Sequence, residues 1–212
     1  MSEKIKLKKI VLWVLFTIGT LFSLSLFISK YQEQLSLPDH EGKPIVVMFG
    51  DSHTYHGDWK RNINQYNPIK LGWGGYTSDK LVEKTSKAVS FKPKYVFILC
   101  GGNDISYRSS TLENTLNNLK LIADTLKNNN ITPVFQKLMY QHNNPEFNAS
   151  VDSLNKALTD YCYKEQIDII DIGKKMYDDT GLKASLTSDN LHLNKKGYII
   201  WYKVINDYLE NH

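Results

Sequence analysis

Short apolar runs that alternate with segments of helical periodicity are the feature that most constrains the fold of this sequence. The apolar runs are rich in β-branched and aromatic residues and predict buried strands at 45–49, 69–71, 95–100, 131–136 and 168–170. The helical segments repeat apolar residues every three or four positions, at 78–89, 111–129, 151–165 and 194–209. This alternation predicts an α/β fold with a five-stranded parallel sheet that helices cover on both faces. Such sheets carry their sites at the carboxyl ends of the strands.

The N-terminal segment has a separate pattern, because residues 10–29 contain no charged side chain. A helix of that length crosses the roughly 30 Å hydrocarbon layer of a membrane. The lysines within residues 1–9 favour the cytoplasmic side, which would place the rest of the chain outside the cytoplasm. The sequence therefore predicts a cytoplasmic segment (1–9), a transmembrane signal-anchor helix (10–29), a linker (30–43) and one exported domain (44–212). A cleaved signal peptide, which would make the domain secreted, is the alternative.

The positive charge of the chain lies entirely in this N-terminal segment. Residues 1–30 hold five lysines and one glutamate, which account for the formal net charge of +4. The remainder has equal numbers of basic and acidic residues. The predicted domain therefore lacks the basic excess of a nucleic-acid-binding protein.

Four polar or glycine-rich clusters follow predicted strands or precede the last predicted helix. They are Gly50-Asp51-Ser52-His53-Thr54, Gly72-Trp73-Gly74-Gly75-Tyr76-Thr77, Gly101-Gly102-Asn103-Asp104 and Ser188-Asp189-Asn190-Leu191-His192. Taken singly, each is better explained as an ordinary turn or a solvated loop. Together they predict a common site, because parallel strands bring their carboxyl ends to one edge of the sheet.

The residue types at these positions suit nucleophilic catalysis. A serine hydroxyl such as that of Ser52 becomes a useful nucleophile when an imidazole accepts its proton, and a carboxylate must hold that imidazole in the right tautomer. Asp189 and His192 lie three residues apart in one loop, a spacing that lets the carboxylate reach the ring. The N–H groups of Ser52 and Gly75 and the side-chain amide of Asn103 are the candidate donors to a developing oxyanion.

The order of the four clusters resembles the four sequence blocks of the SGNH (GDSL-type) hydrolases, from about residue 45 to about residue 202. The resemblance implies a flavodoxin-like three-layer α/β/α sandwich with no metal ion and no organic cofactor. It also implies Ser52 as nucleophile, Asp189 and His192 as the remainder of the triad, and Ser52, Gly75 and Asn103 as the oxyanion hole. The chain departs from the family pattern at Tyr76, where aspartate is common, and lacks the asparagine often found shortly before the second-block glycines.

An α/β-hydrolase shares the chain order Ser, Asp, His but fits the sequence less well. Its nucleophile turn needs a glycine two residues after the serine, where this chain has Thr54, and its acid usually lies far from its histidine in sequence. The neighbouring residues His53, His56, Trp59 and Trp73 either line a substrate groove or pack in the core. The polar stretch 141–148 forms either a lid over the site or a plain loop.

The resemblance and the N-terminal pattern together predict an exported, membrane-anchored serine ester hydrolase. The expected substrate is an ester, with a small acyl group such as acetyl on a cell-surface or imported glycan. An O-acyltransferase with the same triad is one alternative, since both reactions pass through an acyl-enzyme. A non-catalytic glycan-binding module that retains the fold is the other.

Overall fold

The computed structural model of the protein describes residue 13, residues 15–25 and residues 40–212. Residue 13 and residues 15–25 are helical, and residues 40–212 form a compact unit of their own. No helix within these described ranges is both long enough and apolar enough to span a membrane. The predicted cytoplasmic segment (1–9), the remainder of the predicted 10–29 helix and most of the 30–43 linker lie outside the described residues. The N-terminal anchor therefore stays a prediction.

The sheet confirms the predicted parallel α/β fold. Its five strands pair in parallel in the order β2-β1-β3-β4-β5. They are β1 (Ile45–Gly50), β2 (Asn67–Gly72), β3 (Tyr95–Leu99), β4 (Thr132–Gln136) and β5 (Asp168–Ile170). A short antiparallel hairpin, which the apolar pattern does not predict, follows as β6 (Tyr177–Asp178) and β7 (Gly181–Leu182).

Eight α-helices lie between and after the strands in residues 40–212. They are α1 (Ser52–His56), α2 (Trp59–Asn62), α3 (Ser78–Val82), α4 (Thr85–Ser90), α5 (Gly102–Tyr107), α6 (Leu112–Lys127), α7 (Pro145–Glu165) and α8 (Lys195–Glu210). A 3₁₀ turn (Ala184–Leu186) precedes the loop that leads into α8.

Both faces of the sheet are covered. Alternate residues of each strand point to opposite faces, and the residues on each face pack in a separate buried cluster. Phe97 of β3 belongs to a buried apolar cluster that includes Trp201 of α8, whereas its neighbour Ile98 belongs to a second cluster that includes Ile122 of α6. Trp201 is fully buried and donates its indole N–H to Gln136 Oε1 at 2.7 Å. The sheet is thus the middle of three layers.

The helix boundaries differ from the sequence prediction in two places. The single helix expected at 78–89 is divided into α3 and α4. The helix expected at 151–165 begins six residues earlier, at Pro145, where Asn144 accepts a hydrogen bond from the Phe147 amide at 3.2 Å. The second half of the 141–148 stretch is therefore helical, and it is not a separate loop.

The buried face of α8 also differs from expectation. The apolar repeat at 194–209 predicts that Ile199 faces inward. In the structure Ile199 is 57% exposed, whereas Tyr198 and Tyr202 are buried beside Trp201. These large aromatic side chains fill the space between α8 and the sheet, and so they determine the rotation of the helix.

Two glycines bring the strand ends close to the segments that carry the site. A Cβ on Gly50, the last residue of β1, would lie 2.2 Å from the carbonyl oxygen of Leu99 on β3. A Cβ on Gly72, the last residue of β2, would lie 2.4 Å from the Tyr55 amide nitrogen of α1. Both distances are too short for any side chain, so these glycines let α1 start directly at the carboxyl edge of the sheet.

Candidate active site

Ser52 is the first residue of α1 and follows β1 after a single intervening residue. That residue, Asp51, donates its amide to Leu99 O at 3.3 Å and accepts the His53 amide on Oδ1 at 3.0 Å. Asp51 therefore caps α1 and fixes the turn on the end of β3. The Ser52 amide, at the first helical position, has no acceptor within the helix and is free to bind a negatively charged oxygen.

The loop before α8 holds Asp189 and His192 in a fixed arrangement. Thr187 and Leu193 form an antiparallel bridge at its base, and Asn194 caps α8. One carboxylate oxygen of Asp189, Oδ1, accepts the amides of Leu191 at 3.0 Å and of His192 at 2.6 Å. The Asp189 carboxylate thus stabilises the turn of its own loop by accepting hydrogen bonds from two backbone amides.

Ser52, His192 and Asp189 are joined by consecutive hydrogen bonds. His192 Nε2 lies 2.9 Å from Ser52 Oγ, and His192 Nδ1 lies 2.7 Å from Asp189 Oδ2. Partial burial raises the pKa of Asp189, but the hydrogen bonds from the His192 ring and from the His192 and Leu191 amides outweigh it and lower the pKa to about 2. Asp189 is therefore an anion at neutral pH, and it favours the tautomer with the proton on Nδ1 and a free Nε2 facing the serine.

His53, which the sequence pattern leaves open between lining and packing, connects the two halves of this arrangement. Its side chain is 12% exposed, and its Nε2 donates to Leu191 O at 3.2 Å, while Nδ1 lies 3.6 Å from Asp51 Oδ1. Burial lowers the pKa of His53. The Asp51 carboxylate, the hydrogen bond to Leu191 O and the charge of Asp189 together outweigh burial, and the net shift of this pKa is upward. Tyr198 of α8 donates its hydroxyl to His53 O at 2.6 Å. His53 thereby ties the serine turn to the histidine loop.

The candidate oxyanion donors lie on separate elements. Ser52 and Asn103 line one small cavity of about 30 Å³, together with apolar side chains that include Leu138, Met139 and Phe147. Asn103 donates one amide hydrogen to Tyr76 O at 2.9 Å, which leaves its second hydrogen for a ligand.

Gly75, the third predicted donor, is not among the described residues that line this cavity. It is the neighbour of Tyr76, whose carbonyl binds Asn103, and its φ of +72° is one that glycine adopts readily. The structure thus brings Ser52 and Asn103 to one cavity, and it links Gly75 to them only through its neighbour Tyr76.

A buried carboxylate supports the segment that carries Asn103. Asp104 is 1% exposed and accepts hydrogen bonds from the Ser78 amide at 2.9 Å and the Ser78 hydroxyl at 2.6 Å. Thr115 of α6 donates to the same carboxylate at 3.3 Å. Asp104 therefore links α5 to α3 and α6 and fixes the direction of α5, on which Asn103 lies.

The remaining aromatic and histidine neighbours have divided roles. Trp59 is 1% exposed and packs edge-on against Trp201, with 4.9 Å between ring centroids, so it belongs to the core. Trp73 stacks on Tyr76 at 5.2 Å. His56 is exposed beside the catalytic candidates, and its ring centroid lies 5.5 Å from that of His192.

A model of the GDSL-like lipase/acylhydrolase family matches residues 48–200 of this chain. Among curated proteins, similarity is found to N-acylneuraminate cytidylyltransferases of Streptococcus agalactiae. One, from serotype III strain NEM316, is 27% identical over 168 residues, and one from serotype V is 26% identical over the same length. The alignments cover 78% of this chain but 38% of each relative, so the chain spans well under half the length of these relatives.

Solved structures show the same fold. A GDSL-like lipase from Bacteroides thetaiotaomicron is 21% identical, with a TM-score of 0.71 over 86% of this chain and 95% of that one. A lipase/acylhydrolase from Enterococcus faecalis is 21% identical, with a TM-score of 0.67 over 79% and 96%. A catalytic mutant of an acetylxylan esterase from Geobacillus stearothermophilus is 14% identical, with a TM-score of 0.66 over 80% and 94%.

Proposed function

Because the chain belongs to the GDSL-like lipase/acylhydrolase family, we propose that it is a serine ester hydrolase with Ser52 as nucleophile, His192 as general base and Asp189 as the orienting acid. The observation that carries the proposal is the hydrogen-bonded series Ser52 Oγ to His192 Nε2 to Asp189, with contacts of 2.9 and 2.7 Å. Both distances lie within the reach that proton transfer requires. The nucleophile, the base and the acid come from the two ends of the domain, and each is held by backbone hydrogen bonds.

The reaction proceeds in two steps. Ser52 Oγ attacks the acyl carbon while His192 Nε2 takes its proton, and Asp189 stabilises the resulting imidazolium. The tetrahedral intermediate expels the alcohol, which receives the proton from His192, and an acyl-enzyme remains. Water then attacks the acyl carbon and gives a proton to His192, and the collapse of this second intermediate releases the acid and returns the proton to Ser52.

The oxyanion of each intermediate is stabilised by donors that are in place before the reaction. We assign this role to the Ser52 amide, the free side-chain hydrogen of Asn103 and the Gly75 amide. The first two border the same cavity, and fixed donors of this kind lower the barrier without reorganising. Gly75 completes the set when the substrate oxygen lies between its loop and α5.

The small cavity beside Ser52 limits the acyl group. Its volume of about 30 Å³ and its apolar walls suit a methyl group and exclude a long chain. We therefore expect p-nitrophenyl acetate to be hydrolysed with a kcat/KM about 10-fold to 100-fold above that of the octanoate. Initial rates with acetyl, butyryl and octanoyl esters, all below their solubility limits, measure this directly. A kcat/KM that rises with chain length would contradict a small acyl site.

We further propose that the domain is exported and anchored by residues 10–29, and that it removes acetyl groups from glycans. The support is the uncharged 20-residue stretch preceded by lysines. The fold is also that of a protein named as an acetylxylan esterase, so it is compatible with an acetylated glycan.

The location is tested in a bacterial host that expresses the complete chain with a C-terminal epitope. Protease added to intact spheroplasts should remove the epitope, and the protein should stay with the membranes in high salt. A cytoplasmic protein of the same host serves as the control for lysis. Protection of the epitope until the spheroplasts are lysed would disprove export, and N-terminal sequencing separates an anchor from a cleaved peptide.

A further inference from the structure

A groove of about 640 Å³ lies next to the small cavity that holds Ser52. It is bordered by α5, the first turns of α6, and the start of α7. Ser106 and Phe147 line both the groove and the small cavity. A molecule bound at Ser52 with its acyl group in the cavity can therefore extend into the groove. The size of the groove is within the range of pockets that bind small organic molecules.

The chemistry of the groove differs from that of the small cavity. Phe147 and Leu154, both buried, supply an apolar part of its wall. Uncharged hydroxyl and amide side chains supply much of the rest: Ser106, Ser110, Gln141, Asn144, Ser150 and Ser153. The charged lining residues of the groove are engaged within the protein. Arg108 pairs with Glu146. The Asp104 carboxylate accepts hydrogen bonds from Ser78 and Thr115. The hydrogen-bonding groups left for a ligand are therefore mostly uncharged, which suits a ligand that is neutral and rich in hydroxyl groups.

Two serines of α7 show how the wall presents acceptors. The Ser150 hydroxyl donates to Glu146 O at 3.2 Å, and the Ser153 hydroxyl donates to Ala149 O at 3.0 Å. Each hydroxyl proton is thus used within the helix, and each oxygen keeps lone pairs for a donor from outside. Sugar hydroxyls are donors of this kind, whereas an alkyl alcohol has no hydroxyl left once it is esterified.

The rim of the groove carries its main charged pair. Arg108, directly after α5, bonds Glu146 in the first turn of α7 at 2.7 Å, and both side chains are at least 80% exposed. An ion pair so exposed contributes little to stability and rearranges easily. The rim can therefore adapt to a ligand without disturbing the helices beneath it.

We infer that this groove binds the alcohol part of the substrate and that this alcohol is a sugar. The inference rests on the proposed esterase function. The small cavity has room for the acyl group alone, so the alcohol must lie outside it. The groove is the adjoining space, and its hydroxyl and amide lining selects a polyhydroxylated group over an apolar one.

The test uses Ser150→Trp in the complete chain, because an indole on this face of α7 fills the groove while leaving Ser52 untouched. Substrates are a panel of O-acetylated mono- and oligosaccharides, hexyl acetate and p-nitrophenyl acetate. The unsubstituted protein should hydrolyse sugar acetates about tenfold or more faster, in kcat/KM, than hexyl acetate. Ser150→Trp should lower kcat/KM for sugar acetates by about tenfold or more, chiefly through KM. The nitrophenyl group also lies outside the small cavity but makes no sugar-hydroxyl contacts, so kcat/KM for p-nitrophenyl acetate should fall by about threefold at most.

A matched control is Thr125→Trp. Thr125 lies on the exposed side of α6 and donates its hydroxyl to Leu121 O at 2.7 Å, as Ser150 does to its own helix. It is about 15 Å along α6 from Thr115, which borders the groove. Thr125→Trp should leave all three activities unchanged, and Ser153→Trp is a second variant for the groove should Ser150→Trp fold poorly.

The outcomes separate the inference from the proposed function. A loss of sugar-acetate activity at least about threefold larger than the loss of p-nitrophenyl acetate activity in a groove variant supports the inference. Sugar acetates that are no better than hexyl acetate, or groove variants that process sugar acetates normally, would overturn it while the esterase function stands. If the unsubstituted protein fails to hydrolyse every ester, or Ser52→Ala retains the activity, the proposed function itself is wrong.

Discussion

Replacing Ser52 by alanine is expected to lower kcat/KM for p-nitrophenyl acetate by about 10⁴-fold or more, the range found when a serine nucleophile is removed from a triad. The hydroxyl is the group that faces His192 Nε2, at 2.9 Å, and without it no acyl-enzyme can form. The fold should be retained, since Asp51 still caps α1 and Gly50 still closes the turn. The measurement is the initial rate at saturating and subsaturating ester, with circular dichroism to compare the folded content.

The control for this variant is Ser90→Ala, at the end of α4, where the hydroxyl donates to Lys87 O. This variant also removes a serine hydroxyl, but from an exposed helix end outside the site, and it should leave kcat/KM within about twofold. A folded Ser52→Ala protein that retains most of its esterase activity would rule out Ser52 as the nucleophile.

Replacing Asp189 by asparagine is expected to lower kcat by about 10⁴-fold, the loss that this exchange causes in serine proteases. Asparagine keeps an oxygen to accept the Leu191 and His192 amides, so the loop retains its shape. Its amide nitrogen then faces His192 Nδ1, where the carboxylate oxygen stood at 2.7 Å. A donor at this position favours the tautomer with the proton on Nε2, which cannot accept the proton of Ser52.

Asp178→Asn is the matched control for this exchange. Asp178 also folds a turn through one carboxylate oxygen, which accepts the Thr180 amide at 2.9 Å and the Thr180 hydroxyl at 2.6 Å. It lies in the β6–β7 hairpin, and its replacement should change kcat by about twofold at most. If Asp189→Asn lowered kcat by less than about tenfold, His192 would be oriented by other groups and the assignment of Asp189 as the acid would fail.

The sheet was predictable from sequence because parallel strands buried on both faces must be apolar along their whole length. The run at 95–100 is one example, and in the structure β3 is buried throughout. The start of α7 was not found, because 145–150 has almost no apolar periodicity. A local signal was nevertheless present, since Asn144 followed by Pro145 combines a capping residue with a proline suited to the first turn. The exposure of Ile199 depends on how the aromatic residues of α8 pack, which hydrophobicity alone does not encode.

The candidate site was also predictable from the sequence only in part. Ser52, Asp189 and His192 stand out because each lies in a short motif at a strand end or helix start, and the structure brings these three together. The contact between His53 and Leu191 joins residues 138 positions apart, and no local pattern predicts it. The use of one Asn103 hydrogen to hold Tyr76 likewise depends on how separate loops meet.

The separation of Ser52 and His192 by 140 positions in the sequence has a consequence for how such a protein folds during synthesis. During synthesis Ser52, the proposed nucleophile, emerges early, yet its proposed base is missing until the loop before α8 has been made and has packed against α1. A nascent chain thus carries a Ser52 hydroxyl without its base, and the proposed ester cleavage begins only after the loop before α8 has packed against α1. Hydrolysis of a simple ester would then report completed folding. A chain truncated before His192 would have no esterase activity even if its sheet had formed.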